Sequence, residues 1–181
     1  MYKKTLNVLL RFLNNRIIEL VGIVLIVFSI ALLVAIITYS PNDPNLLYIS
    51  EETIITNLLG LKGSIVADFF LQAIGLISFL FVINILVWGL KLVRKKIINN
   101  FLSKIFFVII YMLSGTTLIF FYNNNSFWLI DNGNSGFLGR IIGENLQALV
   151  TFDKNYYVIS VLFLLTLIFF SLSINFRIKE G

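Results

Sequence analysis

Four long apolar runs, separated by polar stretches, set the plan of this chain. They cover residues 17–39, 66–90, 105–122 and 157–174. About 20 apolar residues in helical form cross a bilayer, so each run has roughly the length of a span. In hydrocarbon the backbone must satisfy its own hydrogen bonds, and a helix does so within one segment. The pattern therefore predicts an all-α, polytopic membrane protein with four transmembrane helices. The second run is the longest and ends in a basic knot, Lys91, Arg94, Lys95 and Lys96. Lys and Arg beside a span are retained on the cytoplasmic side, so these four residues orient the helix. Its start, near Asp68, is then expected outside, and both chain termini are expected in the cytoplasm.

The polar stretches fit that topology. Residues 1–16 carry Lys3, Lys4, Arg11 and Arg16 and no acid. With Leu6, Leu9, Leu10 and Leu13 they read either as an amphipathic segment on the membrane surface or as a basic flank that only sets orientation. Glu19 is spaced to pair with Arg16. The first external loop, 40–65, is stopped by Pro41 and Pro44 and is acidic through Asp43, Glu51 and Glu52. Gly60 and Gly63 are expected to form a turn before the second span. The last external loop, 123–155, holds a turn-rich run from Asp131 to Gly136. Residues 138–152 have helical periodicity, with Ile141, Ile142, Leu146, Leu149 and Val150 against Arg140, Glu144, Asn145 and Gln147. That predicts a short amphipathic helix lying on the outer ends of the bundle. Phe127, Trp128, Tyr156 and Tyr157 fit an interfacial aromatic belt. Residues 175–181 begin a cytoplasmic linker.

Composition agrees with this plan and removes several chemistries. The chain is 59% hydrophobic with a mean hydropathy of +0.95. The net charge of +5 is an orientation signal: eleven of the fourteen bases fall on the inner side of the expected topology, and seven of the nine acids on the outer. There is no Cys and no His, so no thiol chemistry, disulfide framework or imidazole ligand is available. No phosphate-binding G-x-x-x-x-G-K-[ST] loop is present, and no catalytic residue, cofactor site or metal site is expected. Within the spans, Asn84, Ser114, Thr116, Thr117 and Thr166 read as hydrogen-bonding groups between helices in preference to a conduction path. Ala31 with Ala35, and Gly63 with Ala67, have the spacing of close helix packing, more simply within the chain than between subunits. Asp68, Gln72 and Gly75 are expected on one helical face.

Three motifs carry a resemblance. The first helix leaves through Tyr39-Ser40-Pro41-Asn42-Asp43-Pro44. The second is approached through Asn57-Leu58-Leu59-Gly60-Leu61-Lys62-Gly63-Ser64-Ile65-Val66-Ala67-Asp68. The last loop holds Gly133-Asn134-Ser135-Gly136-Phe137-Leu138-Gly139. In order, spacing and topology this resembles the N-terminal four-helix membrane domain of the FtsK/SpoIIIE family of bacterial DNA translocases. The resemblance implies a membrane anchor and septal-targeting module in the bacterial inner membrane, acting in cell division and chromosome segregation. It implies a homo-oligomer, a hexamer in the family, with divisome membrane proteins and the lipid bilayer as partners. DNA and ATP would be handled only by a motor beyond this chain, so the chain itself is not expected to be an enzyme. Ser40, Pro41, Asp43, Pro44, Gly60, Gly63 and Asp68 would shape the loops and their contacts. The alternative is a small four-helix transporter or channel subunit.

Overall fold

An apolar chain has no water with which to pair its amides, and here the runs become helices. A computed structural model describes residues 2–45, 55–95, 100–126, 128–129, 131–149 and 156–174. Helix α1 is Tyr2–Ile37 and α2 is Gly60–Ile74. A 3-10 turn, Gly75–Ile77, leads into α3, Ser78–Lys95. Helix α4 is Phe101–Asn123, α5 is Gly136–Leu149 and α6 is Tyr156–Ile174. Among the described residues there is no strand. Four stretches are long and apolar enough to cross a membrane: Leu9–Ile37, Gly60–Arg94, Phe101–Asn123 and Tyr156–Ile174. The all-α, four-span class expected from the pattern holds. Of the residues named above, Glu51, Glu52, Lys96, Phe127 and Val150 lie outside the described ones, as does 175–181.

The long helices pack as two pairs, α1 with α3 and α4 with α6. In the first pair the backbones touch. A Cβ on Gly22 would lie 2.9 Å from Gly89 O, and one on Gly89 would lie 2.8 Å from Gly22 O. Ser29 Oγ donates to Val82 O at 2.9 Å, which fixes the antiparallel register. In the second pair Ser114 and Thr166 share a hydrogen bond of 3.1 Å, and Tyr111 meets Phe170 edge-on at 5.4 Å. Thr116 and Thr117 were expected to bond between helices. Both donate instead to Leu113 O within α4, the usual back-bond of a helical hydroxyl. Ala35 and Ala67 are buried in one cluster with Leu32, Ile36, Leu71 and Leu129, which is packing within the chain.

Three expectations change. Residues 1–16 were read as a separate segment, whereas α1 runs unbroken from Tyr2 through both stretches for 36 residues, about 54 Å. The second run was read as one helix with Gly75 on the Asp68 face. It breaks at Gly75, which adopts φ +56°. Asn57, just before α2, bonds to Ala35 O, and Leu71, in its last turn, packs with Leu32 and Ile36. Both ends of α2 thus meet the last turns of α1, so α2 lies across the end of the bundle. Finally, α5 packs through glycine. A Cβ on Gly139 would lie 2.6 Å from Thr116 O, and one on Gly143 would enter the Phe120 ring at 2.1 Å. Ile141, assigned to the packing face, is exposed.

Candidate functional site

The end of the bundle where α1 finishes and α2 and α5 lie is here called the mouth; the opposite one is the basic end. At the mouth the sequence candidates gather into a polar clasp. Asp43 is 3% exposed. Its Oδ1 accepts from Thr56 N at 2.9 Å and Thr56 Oγ1 at 2.8 Å, and its Oδ2 from Asn57 N at 2.8 Å. Asn57 carries the clasp inward. Its Nδ2 donates to Ala35 O at 2.8 Å and Thr38 O at 3.3 Å, while its Oδ1 accepts from Leu59 N at 3.0 Å. These carbonyls lie in the last turn of α1 and just past its end, where no helical amide remains to pair them. One buried amide therefore joins the end of one helix to the start of the next.

The other candidates sit around that centre. Ser40 O accepts from Asp43 N at 3.2 Å, and Ser40 Oγ receives Asn42 N at 3.4 Å. Pro44 is buried, and its carbonyl accepts from Ser64 Oγ at 2.8 Å. Pro41 is exposed. Gly60 opens α2, with its N–H donating to Asn57 O at 2.8 Å. Gly63 does not form a turn, as the sequence reading expected. It lies inside α2, where a Cβ would sit 2.3 Å from Asn57 Oδ1. Asp68 stands apart from Asp43. It accepts from Tyr39 OH at 3.0 Å, and the Tyr39 ring in turn packs at a tilt against Trp128, 6.0 Å between centroids. Trp128 thus packs inside the mouth, not in the expected belt, while Tyr156 and Tyr157 at the start of α6 are exposed.

The last loop folds down onto α2. Asn132 Nδ2 donates to Gln72 Oε1 at 2.9 Å. Leu76 N donates to Asn134 O at 2.9 Å across the break. A Cβ on Gly75 would lie 2.0 Å from Asn134 O, and one on Gly136 would lie 2.4 Å from Gly75 N. Both glycines have positive φ, so space and backbone demand the same residue. Asn124 closes the loop through Ser135 N at 2.9 Å. Beside this junction a groove of about 530 Å³ is lined by Asn45, Asp68, Phe69, Gln72, Asn132 and Phe137.

The basic end is built differently. Trp88 Nε1 donates to Ser173 O at 3.0 Å. Lys104 Nζ reaches Leu172 O at 3.3 Å and Ser173 O at 3.5 Å. Lys91 Nζ donates to Ile174 O, and Ser173 Oγ donates to Asn84 Oδ1. Side chains from α3 and α4 therefore cap the last carbonyls of α6, and two cations meet the negative end of its dipole. Lys91 was read only as an orienting charge; here it also holds α6. Arg94 is exposed at the end of α3, where Lys95 is the last residue. In the bundle interior Asn84 Nδ2 and Tyr111 OH are buried without a hydrogen-bond partner among the described residues.

Sequence reasoning missed Asn57, Gly75, Trp88 and Lys104 as working parts. Asn57 stood in a quoted motif, and an Asn shortly before a helical run is a capping signal. Lys104 carried a signal too, as a lone cation at the edge of an apolar run.

Comparison with known proteins bears on this arrangement. The family described as the 4TM region of DNA translocase FtsK/SpoIIIE matches residues 14–180. A DNA translocase FtsK from Rhizobium meliloti (strain 1021) is 27% identical over 135 residues. That alignment covers 75% of this chain and 15% of the relative, so the chain spans a small part of the protein it matches. No solved structure matches.

Proposed function

We propose a function from one premise: this chain belongs to the family of the 4TM region of the DNA translocases FtsK/SpoIIIE. The matched region is a membrane region and includes no motor. In our reading the chain anchors a DNA translocase in the bacterial inner membrane and helps assemble it at the division septum. Both termini face the cytoplasm, and the basic end lies on that side.

The observation that carries the anchor reading is the capped end of α6. Trp88 and Lys91 from α3, with Lys104 from α4, hold the carbonyls of residues 172–174. Whatever follows α6 thus leaves from a point fixed to two other helices. The groove at the mouth, held in shape by the clasp, supplies polar surface to partners on the opposite side. A conduction role has less support, because Ser114, Thr166 and Ser173 spend their hydroxyls on bonds between or along helices.

Two experiments test the reading. A fluorescent fusion of the full protein should concentrate at midcell in dividing cells; a uniform membrane signal through the cycle would refute septal assembly. The chain has no cysteine, so a single Arg94→Cys can report topology. It should resist an impermeant thiol reagent in intact cells and react after permeabilisation. Labelling from outside would reverse the orientation and remove the anchor reading with it.

A further inference from the structure

Three parts of the chain, distant in sequence, wall the groove at the mouth. Asn45 follows α1, Asp68 and Phe69 stand on α2, and Asp131 and Phe137 flank the start of α5. Its polar seam is held by neutral groups. Asn132 Nδ2 donates to Gln72 Oε1, and Tyr39 OH donates to Asp68 Oδ1. Neither donor carries charge, so neither cancels that of the Asp68 carboxylate. Asp131 is exposed, and Arg140 spends its Nη1 on the main-chain carbonyl of Asp131 at 2.8 Å. Among the described residues neither acid forms an ion pair, and no base lines the groove. Two like charges therefore share one concave surface without a counter-charge.

The rest of the wall is aromatic. Phe69 is 60% exposed and Phe137 47%. Carboxylates beside open ring faces suit a cation, which gains from the acids and from the ring quadrupoles. An anion is repelled here, and an apolar group would desolvate the acids without pairing them. The volume, about 530 Å³, lies within the range of sites that enclose a small ligand. We propose that the groove takes a basic side chain, arginine above all, from an exposed segment of another protein. Arginine suits it better than lysine, because a planar guanidinium stacks on a ring while its fork meets carboxylates. An ethanolamine lipid offers a cation too, but its own phosphate lies a few bonds from the ammonium. That phosphate would meet the second carboxylate, and a zwitterion leaves the net charge of the groove uncancelled. Placing the partner outside the cell rests on the orientation proposed above; the chemistry of the groove does not.

The test uses the full protein in phosphatidylcholine nanodiscs, which expose both faces, so its result is independent of topology and of septal placement. The probe is a fluorescent pentapeptide of alternating glycine and arginine, followed by anisotropy. It should bind saturably, and the same peptide with neutral citrulline in place of arginine should not. Asp131→Asn, an exposed change that leaves the backbone carbonyl to Arg140, should weaken binding about tenfold or more. Phe137→Leu should weaken it about threefold. Glu144→Gln, an exposed acid on α5 outside the groove, should leave it unchanged. Absence of saturable binding, equal binding of the citrulline peptide, or equal losses in Asp131→Asn and Glu144→Gln overturns the proposal. Displacement of the peptide by short-chain phosphatidylethanolamine, lost in Asp131→Asn, overturns it in favour of a lipid headgroup.

Discussion

The mouth and the basic end solve one problem, unpaired backbone at helix ends, with different materials. At the mouth, short side chains do the work: Asp43, Asn57, Ser64 and Asn124 each bond backbone groups within a few residues of a turn. Glycines let the chains approach until a single added methyl would collide. At the basic end two long lysines and a tryptophan reach across helices to the carbonyls of α6. Short polar groups allow no adjustment, whereas a lysine has four flexible methylenes. The mouth is thus joined by short, closely packed groups and the basic end by long side chains that reach across helices.

The largest effect expected from breaking this contrast is at the mouth. Gly75→Val puts a Cβ on Asn134 O and a branched residue at φ +56°, which should cost about 4 kcal/mol or more and prevent folding. Thermal unfolding in detergent, with protein yield, checks it. Asp43→Ala strands three donors at Thr56 and Asn57, and a loss of about 2–4 kcal/mol is expected. Asp43→Asn should recover part of it by keeping one oxygen. At the basic end, Lys104→Met should leave the global midpoint nearly unchanged, within about 1 kcal/mol, because an apolar chain fills the space. Hydrogen exchange should nevertheless rise at residues 170–174. A global loss as large as that of Asp43→Ala would erase the distinction between the two ends. Thr166→Val removes one interhelical bond, and about 0.6 kcal/mol is expected. Tyr111→Phe should be neutral or stabilising by up to about 1 kcal/mol, since its buried hydroxyl has no partner among the described residues.

What could be read without coordinates follows from the same contrast. Hydropathy measures what the solvent around a residue would be, and four spans follow from it. It carries no information on whether the backbone is continuous. The run containing Gly75 looks like one helix because Phe69–Phe70 and Phe79–Leu80 are equally apolar on both sides of the break. The break itself needs Gly136 and Asn134, which lie far along the chain. The α5 face was misread for a related reason: periodicity weighs Ile141 and ignores Gly139 and Gly143, though close packing prizes the latter. The clasp was partly legible, because Pro, Asp and Gly mark turns wherever they cluster. Of its hub, Asn57, only the position before a helix was legible, since its acceptors are carbonyls of α1 that no sequence pattern displays.

The break at Gly75 also bears on the surrounding lipid. Unbroken, Gly60–Arg94 would be a rod of 35 residues, about 52 Å, far taller than a hydrocarbon layer of roughly 30 Å. With α2 laid crosswise, the upright part is α3, 18 residues or about 27 Å, close to the 19 residues of α6. The two shortest uprights therefore have almost equal helical length, although the end of α3 is charged through Lys91, Arg94 and Lys95. The mismatch that an upright helix of 35 residues would impose does not arise.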